Sequence, residues 1–385
     1  MGSGQFAFHF VPDVTSDWEY LRLSTGQISV YNIFGHPVIG ADICGFIGNE
    51  QVKPELCARW YQLGSFYTFA RNQHQPTNDI PNNQEPYQFN GIYFEAIAAS
   101  IHLRYSILKQ MNAFFFNKPG TAERKYGTIT RPLFFEFPHE STLPPYGHRV
   151  HEEQFMLTEM LMIAPVVYEG QTNVEAYFPD WRWFDMRDLT EVPARGQMHT
   201  ISAGLNELPP YFLRGGYILM KQETQNIRSS EDLDNNFAAY VALSDINENP
   251  LYAAGGAEGY IMGATNYTEE YIYENCVKRN CLLKIRIEYS LSKHDRTNII
   301  IIRSVDDETT STSATDGVTL KAINIMGIAP NTEKMHIKEI ICPACSDAEK
   351  IFPKVNINHN VLRLYSMDFV LKPNLFYMLI LTDSP

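Results

Sequence analysis

Two aspartates, Asp13 and Asp42, stand where short apolar runs stop. Asp42 closes the run 38–41, and Asp13 follows the apolar-rich stretch 5–10. If these runs are neighbouring parallel strands, their carboxyl ends meet at one face, and two carboxylates there suit acid/base chemistry. Aspartates after strands are also common as helix caps and turn formers. The residues alone leave both interpretations open.

Strand-like and helix-like segments alternate over the first 160 residues. Strands are predicted at 5–10, 37–41 and 130–137, and helices at 18–34, 54–70 and 91–116. This alternation is typical of a parallel sheet or barrel. After residue 161 the pattern changes to short strands between Gly, Pro and Asn turns, which indicates β-sandwich modules. These strands are predicted at 162–168, 175–178, 211–220, 238–243, 282–290, 298–303, 320–326, 361–365 and 376–381.

Composition narrows the class of protein. With 385 residues, 44% of them hydrophobic and 19% charged, the chain is an ordinary globular protein of two or three domains. A net charge of −13 without a basic patch argues against nucleic acid and anionic membrane partners. No apolar run approaches the roughly 20 residues of a membrane span, and the first residues do not read as a signal peptide. The 13% aromatic content suits sugar binding.

The six cysteines form three close pairs, which favours disulfides and an oxidising compartment. The pairs are Cys44 with Cys57, Cys276 with Cys281, and Cys342 with Cys345. The sequon that begins at Asn266 points the same way. Two alternatives remain open: a redox motif at 342–345, and a zinc site built from the last four cysteines.

Two further clusters could carry function. His139, His148 and His151 surround a proline-rich loop, but their spacing fits no metal-ligand pattern, and surface-loop histidines are the better interpretation. Tyr260, Tyr267, Tyr271 and Tyr273 could form a sugar-stacking patch, although a position in the core or rim of a β-sandwich explains them better. The favoured interpretations of both clusters and of the cysteines involve no metal, so we expect no metal site.

The stretch GADICGF at 40–46, followed by ELCARWYQLGSFY at 55–67, resembles glycoside hydrolase family 31, and most closely its α-glucosidase branch. Further blocks agree in order from residue 2 to about residue 243. They are GSG at 2–4, WEYLR at 18–22, RN at 71–72, QEPY at 84–87, LRY at 103–105, RPL at 131–133 and LRGGYI at 213–218.

The resemblance implies an α/β plus all-β fold, in which the C-terminal part of a (β/α)8 barrel is followed by two β-sandwich domains. Residues 1–160 would hold the last three barrel strands, 161–222 the proximal β domain, and 223–385 the distal β-sandwich. A whole barrel needs eight strands and about 250 residues. We therefore expect this chain to be a partial enzyme whose partner is the missing N-terminal half, and which aggregates when that half is absent.

The resemblance also assigns roles to individual residues. Asp13 would be the general acid/base of a retaining hydrolase that cleaves α-glucosidic bonds of gluco-oligosaccharides. Asp42 would accept hydrogen bonds from substrate hydroxyls, and Phe46 would give the sugar an apolar wall. Cys44 and Cys57 match a family disulfide that pins this loop. The reaction needs no cofactor or metal, and the branch implies the secretory pathway: lysosomal, extracellular or at the cell surface.

The sequence departs from the family pattern beside these residues. Phe10 stands where the family has Trp, and Pro12 stands where it has Gly. Gln73 occupies the position of a substrate-binding His, with His74 one place later. Phe10, Gln73 and His74 are therefore further candidates for substrate contact. These changes keep an alternative open: a non-catalytic relative that binds glycans or a partner protein through the Asp42 and Phe46 pocket.

The family's nucleophile motif is not recognised in the chain. Trp183-Phe184-Asp185-Met186 looks like a fragment of it, but lies after Asp13, whereas the family carries the nucleophile before the acid/base. We therefore predict that Asp185 is not the nucleophile, that the nucleophile segment is absent, and that the chain alone is inactive.

Overall fold

A computed structural model describes residues 7–48, 51–75, 84–116, 129–145, 148–245, 247–248, 252–261, 282–292, 297–305, 317–328, 335–343, 353–371 and 376–382. The predicted cysteine pair at 276 and 281, the sequon at 266, the tyrosines at 267, 271 and 273, and Cys345 lie outside these residues.

Three extended segments lie side by side and parallel at the start of the chain: the first (9–11), middle (38–43) and third (69–71) segments. Backbone hydrogen bonds of 2.8–3.1 Å join the first to the middle segment and the middle to the third. Helix α1 (Trp18–Ile33) connects the first two segments, and α2 (Pro54–Gly64) connects the second pair. The predicted alternation of extended segments and helices is confirmed here. Since parallel neighbours share a direction, the residues that follow all three segments lie at one edge.

Local sequence explains where the helices begin. Asp17 caps α1 because its side chain accepts the backbone N–H of Tyr20 at 2.8 Å. Pro54 occupies the first turn of α2, where its missing N–H costs nothing. Helix α3 (Ile92–Phe116) is apolar on more than one face and buries Leu103, Ile107 and other side chains. The predicted helix at 91–116 is thus confirmed.

A five-stranded sheet follows, with strand order β1-β2-β3-β7-β5, beside a separate strand pair, β4–β6. The strands are β1 (Thr130–Arg131), β2 (Phe155–Leu157), β3 (Leu161–Ile163), β4 (Asn173–Phe178), β5 (Trp183–Asp185), β6 (Gln197–Ser202) and β7 (Tyr211–Arg214). Two short helices, α4 (Leu133–Glu136) and α5 (Val150–Glu153), lie between β1 and β2. A common core that includes Met156, Phe178 and Trp183 joins both sheets.

Two sequence predictions in this region are wrong. The predicted strand 130–137 ends after Arg131, because Pro132 cannot donate to a strand neighbour and instead precedes the helical turn α4. The predicted strand 211–220 is two strands, β7 and β8 (Ile218–Lys221), since Gly215 and Gly216 break it. Gly216 has φ of +95°, which other residues seldom adopt.

The rest of the chain forms two facing sheets. One has the order β10-β11-β12-β13-β18-β15 and the other β16-β17-β14-β9-β8. The strands are β9 (Asn236–Ala242), β10 (Asn247–Glu248), β11 (Tyr252–Ile261), β12 (Leu283–Ser292), β13 (Asn298–Val305), β14 (Thr319–Met326), β15 (His336–Ile341), β16 (Lys354–Asn358), β17 (Val361–Val370) and β18 (Phe376–Thr382). One core, with Ile285, Ile300 and Leu364 at its centre, lies between the sheets.

The sheets divide the chain at different places from the predicted domains. β1 and β2 precede residue 161 but belong to the first sheet, and β8 precedes residue 223 but pairs with β9 of the distal sheet.

Among the described helices, none combines the length and the apolar character that crossing a bilayer requires.

Candidate active site

The three parallel segments each bring one side chain to a common point. Asp42 lies at the end of the middle segment with 0% of its surface exposed. Arg71, from the third segment, places Nε and Nη2 each 2.7 Å from Asp42 Oδ1. The Arg71 guanidinium carbon also lies 3.9 Å from the ring centroid of Phe10, which belongs to the first segment. The site is therefore assembled by the parallel pairing itself.

The second carboxylate oxygen of Asp42 is available to bind a ligand. Asp42 Oδ2 is buried and has no hydrogen-bond partner. Burial raises the pKa of Asp42, while the hydrogen bond and charge of Arg71 lower it and the charge of Asp13 raises it, with a net increase. A buried carboxylate oxygen without a hydrogen bond costs free energy, and a hydroxyl of a ligand could donate that hydrogen bond. The geometry therefore suits recognition of a hydroxylated ligand.

Asp13 is exposed and directly follows the first segment. Its negative charge is the smallest of the influences on the pKa of Asp42, which it raises. The backbone after Asp13 is fixed because Val14 O accepts the N–H groups of Phe46 and Ile47 at 2.7 and 3.0 Å. The position of Asp13 is thus coupled to the loop that carries Phe46.

The Phe46 loop is a constrained turn. The predicted disulfide between Cys44 and Cys57 is present and ties this loop to α2. Cys44 has φ of +73° and Gly45 of +88°, and a Cβ on Gly45 would lie 2.4 Å from the Cα of Ser16. Only glycine fits there. The turn leaves the Phe46 side chain half-buried, next to the backbone of the Asp13 segment.

Gln73 and His74 lie on the loop that follows Arg71. Gln73 is exposed, whereas His74 is half-buried and its Nδ1 lies 3.1 Å from Gln75 O. Gln75 in turn donates its N–H to Phe46 O at 2.8 Å. This loop therefore lies against the Phe46 loop. The substrate contact predicted for Gln73 or His74 stays a prediction.

Sequence reasoning missed Arg71 as a site residue. Arg71 was visible as part of a family block with Asn72, but the sequence did not indicate that it would pair with Asp42. Asn72 faces elsewhere: its Nδ2 donates to the Tyr61 hydroxyl at 2.6 Å and to Gln84 O at 2.9 Å. The pair thus combines one site residue with one residue that anchors the loop.

Asp185 has a different environment. It lies in β5, and its carboxylate accepts from Arg187 Nε at 2.9 Å and from Nη2 at 2.6 Å. It is 7% exposed. Both oxygens are therefore used in an ion pair with Arg187, and the expectation that Asp185 is not the nucleophile stays a prediction.

The histidine loop shows ordinary contacts. His151 Nε2 lies 2.9 Å from Pro144 O, and His148 Nδ1 accepts the Val150 N–H at 3.3 Å. Within the described ranges, no group of three or more His, Cys, Asp and Glu side chains is arranged to hold a metal ion. Cys342 is disulfide-bonded, which agrees with the favoured interpretation of the cysteines as disulfides and argues against a zinc ligand at this residue.

Comparison with known proteins identifies the family to which the chain is similar. Residues 1–112 match the model of the glycosyl hydrolases family 31 TIM-barrel domain, and residues 126–219 match that of the family 31 C-terminal domain. Lysosomal acid alpha-glucosidase of Tetrahymena pyriformis is 32% identical over 304 residues, which cover 74% of this chain and 31% of that protein. Lysosomal alpha-glucosidase of Mus musculus is 35% identical over 276 residues, covering 67% and 26%.

Solved structures give the same fold. A family 31 dextranase from Flavobacterium johnsoniae, complexed with glucose, superposes with a TM-score of 0.73 at 18% identity. The superposition covers 97% of this chain and 44% of the dextranase. The chain thus spans less than half the length of each of these relatives.

Proposed function

The chain belongs to glycoside hydrolase family 31, and on that premise we propose that it contributes the glucose-binding subsite and the general acid/base of a retaining α-glucosidase. The observation that carries the proposal is the convergence of Asp42, Arg71 and Phe10 from three parallel segments, with Asp13 beside them. The α-glucosidase activity named for the relatives supports the substrate class.

In this proposal Asp42 binds the sugar ring. Arg71 occupies Oδ1, so Oδ2 remains to accept a hydrogen bond from a sugar hydroxyl. Because the carboxylate is buried, that hydrogen bond is charge-assisted and stronger than one in water. Phe46 supplies an apolar wall for the C–H face of the ring. Phe10 is 40% exposed and stacked on Arg71, and its free edge can contact the same sugar.

Asp13 acts on the glycosidic oxygen. It donates its proton to the leaving oxygen as the bond to the anomeric carbon breaks and a nucleophilic carboxylate bonds to that carbon. It then takes a proton from the water that displaces this carboxylate and releases glucose. The exposure of Asp13 suits this role, because the leaving group departs to solvent and the attacking water enters from solvent. The hydrogen bonds from Phe46 and Ile47 to Val14 O hold the Asp13 segment against the sugar wall.

A retaining mechanism needs a second carboxylate about 5–5.5 Å from the acid/base. In this proposal Asp42 binds a sugar hydroxyl through Oδ2, and both oxygens of Asp185 are held by Arg187, so neither is assigned as the nucleophile. We propose that the nucleophile is carried by sequence outside these 385 residues, and that this additional sequence is the partner with which the chain forms the active enzyme. By the same reasoning, residues 1–385 by themselves are inactive.

The test uses the whole native protein that contains this chain and two substrates. Asp13→Asn should lower kcat/KM for maltose by at least about a hundredfold, the usual contribution of a general acid. The loss for p-nitrophenyl α-glucoside should be much smaller, since nitrophenolate leaves without protonation. Glu19→Gln is the matched control: Glu19 is also an exposed carboxylate, in the first turn of α1. Equal losses on both substrates, or no loss, would contradict the assignment of Asp13.

A second candidate function is glycan binding without turnover. The observation in its favour is the environment of Asp13: Pro12 fixes its own φ where the family has glycine, which restricts how the Asp13 loop can be aimed. Isothermal titration of the whole protein with maltotriose separates the candidates. If the wild-type protein binds maltotriose but releases no glucose, the binding role is established instead.

We further propose a secretory-pathway location. The Cys44–Cys57 disulfide requires an oxidising compartment to persist, and two of the relatives are named as lysosomal. Immunolocalisation of the native protein with an antibody to this chain tests the proposal, and a cytosolic signal would overturn it.

A further inference from the structure

A second cleft lies on the other side of helix α3 from the Asp42 site. It has a volume of about 880 Å³ and lies between α3, the strands β8 and β9, and the loop from 222 to 236. That volume is within the range of small-ligand sites in proteins, about 300–1,000 Å³. Nothing in the proposed hydrolytic site uses it.

Small side chains on three elements create the space. Ala99 of α3, Ala238 of β9 and Ala322 of β14 all line the cleft. Along β9, Phe237, Ala239 and Val241 point into the sandwich core, so the alternate residues face outward to the helix. Because Ala238 faces outward and is small, no bulky side chain fills the space between the sheet and α3 at this position.

One polar group on the cleft wall lacks a protein partner. Gln222 is 7% exposed and lines the cleft. Its Nε2 donates to Asp234 O at 2.6 Å, but its Oε1 is buried without any hydrogen-bond partner. A buried unsatisfied amide oxygen is costly and indicates a missing donor. A ligand hydroxyl in the cleft would supply that donor.

The charges around the cleft are nearly balanced and mostly paired within the protein. The charged residues are two lysines, Lys221 and Lys321, and three carboxylates, Glu223, Asp232 and Asp234. Lys321 forms an ion pair with Asp368, and Asp232 accepts the N–H groups of Arg228 and Ser229 at 2.8 and 3.1 Å. An anionic ligand such as a phosphate would meet a net negative lining. The cleft therefore favours a neutral ligand.

The remaining lining suits a sugar. Tyr240 offers an aromatic surface on the outward face of β9, and Lys221 Nζ lies 5.3 Å from its ring centroid. That ammonium donates to the Tyr211 hydroxyl at 3.1 Å and retains further donors. Thr224 and His102 form a polar edge, with 3.2 Å between Oγ1 and Nδ1. Donors, acceptors and an apolar face together match a ring that carries several hydroxyl groups.

We propose that this cleft is a second, non-catalytic binding site for an α-linked gluco-oligosaccharide, such as a segment of a longer glucan. The sugar class is motivated by the lining, and the α-glucan identity rests on the proposed function. A ligand hydroxyl donates to Gln222 Oε1, Lys221 donates to a neighbouring hydroxyl, and the sugar face packs on Tyr240. The site holds polymeric substrate on the same molecule that hydrolyses it.

Affinity electrophoresis of the whole native protein in gels that contain glycogen tests the proposal. Wild type should be retarded relative to gels without glycogen. Ala238→Trp fills the cleft and should weaken the apparent affinity at least about tenfold. Gln222→Met removes the unpaired acceptor at similar volume and should weaken it about fivefold, the value of one hydrogen bond. Thermal melting of each variant confirms that it is folded. If Ala238→Trp does not fold, Gln222→Met alone still tests the proposal.

Two controls make the result specific. Ser290→Trp places the same bulk on an outward position of β12 in the opposite sheet and should be retarded like wild type. Asp42→Asn should leave most of the retardation in place, because it changes only the hydrolytic site. Unretarded wild type, unchanged retardation in folded Ala238→Trp, or complete loss in Asp42→Asn would each overturn the second site.

Hydrolysis of p-nitrophenyl α-glucoside separates this inference from the proposed function. The small substrate needs only the Asp42 site, so Ala238→Trp should cleave it at the wild-type rate while its kcat/KM on glycogen falls. If wild type cleaves the small substrate but shows no glycogen retardation, the second site alone is refuted. If glycogen retards wild type but the small substrate is not cleaved, the hydrolytic function alone is refuted.

Discussion

Removing Arg71 should be more damaging than removing its partner Asp42. Asp42 is completely buried, so Arg71→Met would leave an uncompensated carboxylate in the interior. Breaking a buried pair in this way costs about 3–5 kcal/mol. The Arg71 side chain is 28% exposed, so water screens the pair from one side, and we expect a cost near the lower limit, about 3 kcal/mol. Loss of the contact with Phe10 is a smaller part of that total.

The reverse substitution should be milder. Asp42→Asn removes a buried charge, and the Arg71 guanidinium that remains can reach water through its exposed edge. We expect a cost of about 1 kcal/mol, the net value of a hydrogen bond. In the double variant the neutral amide at position 42 no longer requires a counterion, so the total should stay well below the sum of the two single costs. The coupling should be about 2 kcal/mol.

Urea unfolding at pH 7, followed by tryptophan fluorescence, gives these free energies. Trp60 reports on the region because it is fully buried in α2, in the same core as the middle segment. Repeating the series near pH 4 should reduce the cost of Arg71→Met, since a protonated Asp42 needs no cation. A cost below about 1 kcal/mol at pH 7, or additive costs in the double variant, would refute an energetically coupled Asp42–Arg71 pair.

Three further predictions concern the same region. Because burial raises the folded-state pKa of Asp42, protonation of this carboxyl adds stability that is fully present below the unfolded pKa of about 3.9 and is lost as pH rises through the folded pKa. The melting temperature of wild type minus that of Asp42→Asn should therefore fall between pH 4 and pH 7, and a rising difference would contradict the raised pKa. Replacing Cys44 and Cys57 together with Ala should cost about 3 kcal/mol in urea unfolding, since their sequence separation is 13, and should raise KM by loosening the Phe46 turn; an unchanged unfolding midpoint would contradict this. Gly40→Ala should prevent correct pairing of the middle and third segments, because a Cβ there would lie 1.8 Å from Phe69 O, whereas Gly256→Ala, with its nearest atom at 3.5 Å, should cost little in melting temperature; equal effects would refute the steric argument.

The fold was predictable wherever one periodicity dominated the sequence. Helix α3 and the extended-helix alternation that precedes it follow from apolar spacing, as do strands such as β13. Strand β11 could not be recognised, since its AAGGAEG stretch has the composition of a turn and is held in the sheet by pairing with β12. Its pairing partner is distant in sequence, which local propensity does not report.

The site was predictable in its residue types but not in its pairing. Asp42, Phe46 and the Cys44–Cys57 disulfide followed from the resemblance, and the structure places all of them at one turn. The ion pair with Arg71 depends on the register between the middle and third segments. A shift of one residue would turn the Arg71 side chain to the other face, and nothing in the sequence alone fixes that register.

Helix α3 explains how the hydrolytic site and the proposed second site can keep a fixed relation. One face of α3 grips the region after α2: Arg104 Nη1 donates to Tyr67 O at 2.6 Å and Ser65 O at 3.1 Å. Burial lowers the pKa of Arg104 to about 10, so the guanidinium still keeps its charge at physiological pH.

The opposite face of α3 holds the wall of the cleft, because Ser106 O accepts the Gln222 N–H at 2.8 Å. Further along, Gln110 Oε1 accepts the Met220 N–H at 3.2 Å, which ties the same helix to β8. Because α3 is anchored on both faces, it holds the two sites at a fixed separation. A glucan bound in the cleft would therefore be presented to the Asp42 site at a constant distance, and it should raise the local substrate concentration without altering the chemistry of Asp13.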